Sequence, residues 1–588
     1  MSDKRITGKI FDLKLFKRLL SYIKNYRFAF YVAVLSVFLL AFFAAVRPVL
    51  LGYIIDNFVK NKLANKLVQY SVIMLGFLIL EAVFQFVFIF FTNFLGQNII
   101  KDIRTELFKH IIHFKMNYFD NTAVGKIVTR VVSDIETIAS VFGQGLFVII
   151  SDLLKMLVII IVMLVINWKL ALIVFVALPI LIYATRIFQK AMKSAFQKVR
   201  TEVANLNSFV QERLTGMKIV QLFSREKSEY EQFKNINKKH KDAWIKTVWY
   251  NSIFFPIAEL VPSIALGFVV WFGGLQMLET GTTTFGDIIS FIMMNQMLFR
   301  PLRQIADKFN TLQMGMVAAD RVFKILDTNN LEVDSGTIHQ SLQGDIKFQN
   351  SHFSYTQKEE VLRGISFHVK KGETIAIVGA TGAGKSTIIN LINRFYTVDS
   401  GEILLDDKSI YDYNLQYLRK QIAIVLQDVF LFSDTIFNNI TLYNSEITLE
   451  EVKKAAKQIG VHKFIMSLPK NYQYNVKERG VMLSSGQRQL IAFLRAYVCK
   501  PTVLILDEAT SSVDSKTEVL IQKAIDIITK DRTSIVIAHR LATIKKADKI
   551  LVMDKGLIVE QGTHNELIHA NGYYRTLYEL QFEGDSKE

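Results

Sequence analysis

Thr374-Ile375-Ala376-Ile377-Val378 runs directly into Gly379-Ala380-Thr381-Gly382-Ala383-Gly384-Lys385-Ser386-Thr387, and that into Ile388-Ile389-Asn390-Leu391-Ile392. The first run reads as a buried strand and the last as a helix. Between them lies the spacing G-x-x-x-x-G-K-[ST], which carries meaning in that strand–loop–helix setting. Its glycines let backbone N–H groups converge on phosphate oxygens at a helix N-terminus, where the dipole favours an anion. Lys385 adds a charge for the β and γ phosphates, and Ser386 offers its hydroxyl to Mg²⁺.

Downstream, Val503-Leu504-Ile505-Leu506-Asp507-Glu508 is a second buried strand, now ending in two carboxylates. Asp507 suits the Mg²⁺ shell of a P-loop nucleotidase, and Glu508 is placed to polarise an attacking water. After a polar linker around Asp327 to Gln343, short apolar strands alternate with helical patterns, as in an α/β domain.

Toward the N-terminus the composition changes. Of the 588 residues 51% are hydrophobic and 21% charged, against roughly 45–50% and 25% in a soluble protein. Disorder is excluded by these figures, a collagen-like chain by 29 Gly and 7 Pro, and a disulfide framework by the single Cys499. Cys499 is expected to be a packed, inert thiol. Six stretches, near 28–55, 69–96, 138–165, 169–187, 247–277 and 284–300, are apolar enough to cross a bilayer, which takes about 20 residues of helix. Only Asn167-Trp168-Lys169 separates the third from the fourth, which predicts a tight helical hairpin. No signal peptide is expected, since an amphipathic segment, Phe11 to Tyr22, precedes a long first apolar run.

The net charge of +17 invites a nucleic-acid reading, but its distribution excludes one. Residues 1–310 hold 37 Lys+Arg against 20 Asp+Glu, and residues 311–588 hold 33 of each. A nucleic-acid binder would carry its basic face on the soluble part. Here the excess lies in the apolar half, where segments 1–27, 97–137 and 186–246 hold 8, 6 and 14, or 28 of the 37. The positive-inside rule then sets both termini in the cytoplasm. Segments 97–137 and 186–246 keep helical periodicity, with breaks near Asp120 to Gly125 and at Gly216. Membrane helices are therefore expected to continue into the cytoplasm, turn at short transverse segments and return. The apolar run Met217 to Phe223 suits contact with a soluble domain.

Leu483-Ser484-Ser485-Gly486-Gln487-Arg488-Gln489 resembles the signature sequence of ABC (ATP-binding cassette) transporters, and the rest of that family's set follows in order. Tyr355 matches the aromatic that stacks on adenine, Gln427 the glutamine between the two nucleotide motifs, and Glu478-Arg479-Gly480 the short loop that exporters carry before the signature. Ser511-Ser512-Val513-Asp514 matches the loop after the catalytic glutamate, and His539 the switch histidine. The resemblance is to half-transporters of the bacterial multidrug and lipid exporter type. One departure is visible: Ser485 stands where the commonest signature has its first glycine, while Gly486 is kept.

The resemblance implies an all-α transmembrane domain of six helices with long cytoplasmic extensions (1–310), a linker (311–342) and an α/β P-loop ATP-binding cassette (343–588). Lys385, Gln427, Glu508 and His539 would be catalytic. Tyr355, the loop Gly379, Ala380, Thr381, Gly382, Ala383, Gly384, Lys385, Ser386 and Thr387, together with Gln427, Ser484, Ser485, Gly486, Gln487 and Asp514, would bind ATP. Ser386, Gln427 and Asp507 would hold Mg²⁺. With one phosphate loop and one signature, the chain must pair, first with a second copy of itself and alternatively with a related half. The implied activity is ATP-driven export of a lipid, drug or other amphipathic molecule across the bacterial inner membrane; an importer on the same fold is the alternative. No nucleic-acid partner is expected.

Charged residues within the spans point to function or to pairing. Asp152 and Lys155 are expected to pair along one helix. Glu259, between Pro256 and Pro262, is expected to face the cargo, with Arg47 as an alternative ion-pair partner.

Overall fold

The computed structural model describes residues 12–279, 281–356, 359–507, 515–538 and 540–579. It divides into two compact units, residues 1–112 with 123–329, and residues 113–122 with 330–588.

The first unit is helical. After a short helix, Leu13–Ser21, come Arg27–Ile54, Ala64–Ile111, Phe147–Thr215, Glu226–Glu279 and Phe285–Leu326. Ala64–Ile111 has 48 residues, so it is about 72 Å long against a hydrocarbon core of about 30 Å. Among the described residues four helical runs are long and apolar enough to cross a membrane: Leu13–Val59, Ala64–Ile111, Val124–Thr215 and Glu226–Glu279. The third is broken at Asn167, whose backbone is extended (φ −156°, ψ 100°). Asn167 Oδ1 accepts from the N–H groups of Lys169 and Leu170 at 3.1 and 3.2 Å, which caps the helix that follows. This is where the hairpin between the third and fourth spans was expected. Phe285–Leu326, which carries the expected sixth span, is a continuous helix outside those four.

Contacts along the helices fix their directions. Arg213–Glu229, Phe209–Phe233, Phe196–Trp244, Phe188–Phe254 and Asn167–Gln276 pair in sequence, one number falling as the other rises, so the two helices are antiparallel along their whole length. Large apolar side chains such as Phe86, Val165, Tyr183 and Trp271 are exposed. An apolar exterior of this extent is stable only against lipid. The chain is an integral, multi-pass membrane protein.

Several expectations are corrected here. Asp152 pairs with Lys308 at 2.5 Å rather than with Lys155, and Arg47 pairs with Glu81 at 3.5 Å. In both cases a neighbouring helix brings a partner that sequence proximity does not reveal. Phe285–Leu326 passes through the boundary set at 310, so residues 311–326 of the expected linker are helix. Leu312, Met316, Ala319, Val322 and Phe323 keep its buried stripe going. Cys499 is exposed rather than packed, although desolvation still pushes its thiol above the ordinary range.

The second unit is built on two sheets. Strands β1 (Ile346–Phe353), β2 (Leu362–Val369), β4 (Ser400–Leu405) and β5 (Lys408–Ser409) form an antiparallel sheet in the order β2-β1-β4-β5. The larger sheet has the order β10-β9-β3-β8-β7-β6, from β3 (Thr374–Gly379), β6 (Ile422–Val425), β7 (Val503–Asp507), β8 (Thr533–Ile537), β9 (Lys549–Asp554) and β10 (Leu557–Gly562). It is parallel except at β10. The unbroken apolar run of β3 has a physical cause: Ile375 and Ile377 enter one core and Ala376 and Val378 the other, so both faces are covered. β8 and β9 lie on opposite sides of β3. The carboxyl end of β3 is therefore the point at which connections diverge, the usual place for a ligand in such sheets.

Both expected transverse segments are present as short helices, Met116–Asn121 and Met217–Leu222. The first belongs to the C-terminal unit: Lys115 N–H donates to Asn330 O at 2.9 Å, and Tyr396 Oη donates to Asp120.

Candidate nucleotide site

The loop after β3 depends on backbone that side chains resist. Gly379 (φ +153°) and Gly384 (φ +100°) are left-handed, and a Cβ on them would lie 2.2 Å from Met553 O and 2.8 Å from Leu362 Cδ2. Gly384 then starts the helix Lys385–Ile392. Lys385 is buried (8% exposed), and its Nζ donates to Gly379 O and Ala380 O, both at 2.9 Å. Burial pushes its ammonium below the ordinary lysine range, and the negative charge of Asp507 opposes that shift. The result is a cation held inside a ring of backbone groups at a helix N-terminus, which suits a polyphosphate.

Parallel strands carry further predicted residues to the same edge. Asp507 is the last residue of β7, and Gln427 lies exposed two residues beyond β6. Ser386 is exposed in the first turn of the loop helix and Thr387 is buried beneath it. Ser386, Gln427 and Asp507 offer hydroxyl, amide and carboxylate oxygens, a donor set that fits a hard cation such as Mg²⁺. Glu508, Asp514 and His539 lie outside the described residues.

Tyr355 is fixed above this loop. Its hydroxyl donates to Thr387 Oγ1 at 3.3 Å and accepts from Asn390 Nδ2 at 3.0 Å. Its ring meets Phe353 and Tyr396 edge-on, with centroids 4.8 and 5.0 Å apart. With 39% of the residue exposed, a rigid aromatic surface is offered for stacking. The sequence did not reveal Asn390 and Tyr396 as its supports. Nothing in the sequence linked position 396, four residues past the end of the loop helix, to 355.

The signature residues form a separate feature. Ser484 caps the helix Ser485–Val498 in a reciprocal box with Gln487: Ser484 Oγ accepts from Gln487 N–H at 3.3 Å, and Gln487 Oε1 from Ser484 N–H at 3.0 Å. These two residues bond each other rather than the phosphate loop of their own chain. Ser484 and Ser485 are exposed and Gly486 is buried. Ser485 is the first residue of the helix and is not left-handed, so the backbone there does not require the missing glycine.

Fold and site together define a membrane protein that carries a P-loop nucleotidase. Two family models narrow the class: the ABC transporter transmembrane region over residues 30–302, and the ABC transporter model over residues 362–511. The chain is 36% identical to an uncharacterized ABC transporter ATP-binding protein, YknV, of Bacillus subtilis, over 99% of this chain and 97% of that one. It is 34% identical to the putative multidrug export ATP-binding/permease protein YgaD of the same organism, over 96% and 99%. To the ATP-dependent lipid A-core flippase of Pseudoalteromonas translucida it is also 34% identical, over 97% and 98%. The chain belongs to the ABC transporters, as a half-transporter of the exporter type, and is an ATPase coupled to transport across a membrane.

Proposed function

We propose that two copies of the chain pair head to tail and drive export of an amphipathic lipid or drug across a bacterial cell membrane. Each phosphate loop would face the Ser484–Gly486 turn of the other copy, so that ATP is held between the two. The exposed hydroxyls of Ser484 and Ser485 at a helix N-terminus favour this reading, because such a turn suits the γ-phosphate. Bound Mg²⁺, held by Ser386, Gln427 and Asp507, would supply charge neutralisation at the β and γ oxygens. Lys385 would leave its loop carbonyls for the phosphates, Glu508 would accept the proton of the attacking water, and His539 would contact the γ-phosphate.

Once the γ-phosphate has gone, the turn loses its anion and the copies part. The short helices Met116–Asn121 and Met217–Leu222 would pass that movement to six membrane helices. The second leaves Ile219, Leu222 and Phe223 exposed, which suits seating on a cassette. The cytoplasmic placement of both termini and of the cassette rests on the 28 of 37 basic residues in segments 1–27, 97–137 and 186–246. Exposed Glu259 would meet the polar part of the cargo.

The single observation that carries this reading is the buried Lys385 inside its glycine loop beneath the exposed ring of Tyr355. ATPase activity of the purified chain in nanodiscs, measured against a panel of phospholipids and hydrophobic dyes, tests it. Stimulation several-fold by at least one compound is expected, and reduced stimulation in Glu259→Gln with basal rate unchanged. On a Cys499→Ser background, Thr381→Cys with Ser484→Cys should cross-link two copies in the presence of ATP. Activity that appears only after a different half-transporter is added would replace the homodimer by a heterodimer.

A further inference from the structure

The chain passes between its two units at 112/113, 122/123 and 329/330, and two of these passages run side by side. His110 Nε2 lies 3.2 Å from Thr328 O. Further along, Lys115 N–H donates to Asn330 O at 2.9 Å and Glu332 N–H to His113 O at 2.8 Å. Phe114 and Leu331 thus form an antiparallel bridge. Two stretches distant in sequence cross as one hydrogen-bonded ribbon.

The N-terminal segment lies across the helices that feed this ribbon. Arg18 Nη1 donates to both carboxylate oxygens of Asp327 at 2.7 and 2.8 Å, and its guanidinium sits 4.3 Å from the centre of the Phe323 ring. Tyr22 stacks on the same ring at 6.3 Å, and its hydroxyl donates to Glu106 at 2.7 Å. Tyr26 donates to Asp102 at 2.9 Å. Tyr22 and Tyr26 thus meet Glu106 and Asp102, also four apart on one face of Ala64–Ile111, while Arg18 reaches the end of Phe285–Leu326. Asp12 secures the start of the segment by accepting from Lys14 N–H at 2.8 Å.

We propose that this segment is a clamp. It holds the last turns of Ala64–Ile111 and Phe285–Leu326 together just before the ribbon, with Arg18 as the positioning residue. A displacement carried by the ribbon then reaches both helices at once instead of being absorbed by bending at either junction. The inference rests on the transporter reading above, because it concerns how ATP turnover reaches the membrane helices.

The test uses the full-length chain in nanodiscs on a Cys499→Ser background, with a spin label at Lys66→Cys near the far end of Ala64–Ile111. Distances between the labels of two copies are compared without nucleotide and after trapping with ATP and vanadate. Arg18→Ala should keep ATPase activity within about twofold of the parent while the shifted fraction per trapped nucleotide falls at least twofold. Arg18→Asp combined with Asp327→Arg should restore it. Tyr22→Phe, which removes only the hydroxyl, should lower it partly and serves if Arg18→Ala does not fold. An unchanged shift in Arg18→Ala, or a loss that the exchanged pair does not repair, overturns the clamp. A parent that hydrolyses ATP yet shows no shift overturns the transporter reading, and the clamp with it.

Discussion

In the loop that holds Lys385, the glycines at 379, 382 and 384 all have positive φ, and a side chain on the first would run into a neighbouring strand. Along Ala64–Ile111, by contrast, Val72, Phe86 and Ile89 are exposed on a helix whose surroundings accept any apolar side chain. The first region is specified residue by residue through backbone conformation and contact. The second is specified by composition and period, and its individual residues are interchangeable. Substitutions should therefore have steep effects in the loop and shallow ones on the helix face.

The steepest effect belongs to Glu508→Gln. An amide does not accept the proton of the attacking water, so turnover should fall by about a hundredfold or more while ATP binding persists. Hydrolysis within about threefold of the parent would remove Glu508 as the base. Gly384→Ala comes next, because it combines left-handed strain with a Cβ 2.8 Å from Leu362 Cδ2. Strain of about 1–2 kcal/mol corresponds to roughly a tenfold loss of ATP affinity, read by equilibrium nucleotide binding. An alanine variant with parental affinity would break the contrast between the two regions.

Tyr355→Ala should raise the KM for ATP by about five- to tenfold through loss of stacking. Tyr355→Phe keeps the ring, loses only the hydroxyl's bonds to Thr387 and Asn390, and should stay within about threefold. Equal effects of the two would make the hydroxyl, rather than the ring, the functional part. At the shallow end, Phe86→Leu should change stability by no more than about 0.5 kcal/mol, seen as a nearly unmoved melting temperature in nanodiscs. A large drop would mean that this exposed position packs against protein after all.

The same contrast explains what was legible in the sequence. The phosphate loop could be read because its constraints are local: strand, glycines, lysine and helix follow one another within residues 374–392. The break at Asn167 and the breaks near Asp120 to Gly125 and at Gly216 were visible for the same reason, although the first transverse helix, Met116–Asn121, starts ahead of the expected break. Partners set by packing were not. Tyr396 and Asp120 meet from 276 positions apart, and Lys308 reaches Asp152 across 156. The boundary set at 310 follows the polar run of residues 300–310 and cuts through a helix whose buried stripe, from Leu312 to Phe323, continues at helical spacing. The Ser484–Gln487 box was present in the letters as S-x-x-Q, yet its role in shaping the signature turn became clear only with the helix it starts.

Transport itself tests the central claim most directly. Inverted membrane vesicles containing the chain, supplied with ATP and Mg²⁺, should accumulate a fluorescent phospholipid analogue or a hydrophobic dye that stimulates the ATPase, and vesicles carrying Glu508→Gln should not. Accumulation in right-side-out vesicles with ATP inside, or ATP hydrolysis with no movement of any compound that stimulates it, would contradict an ATP-driven exporter.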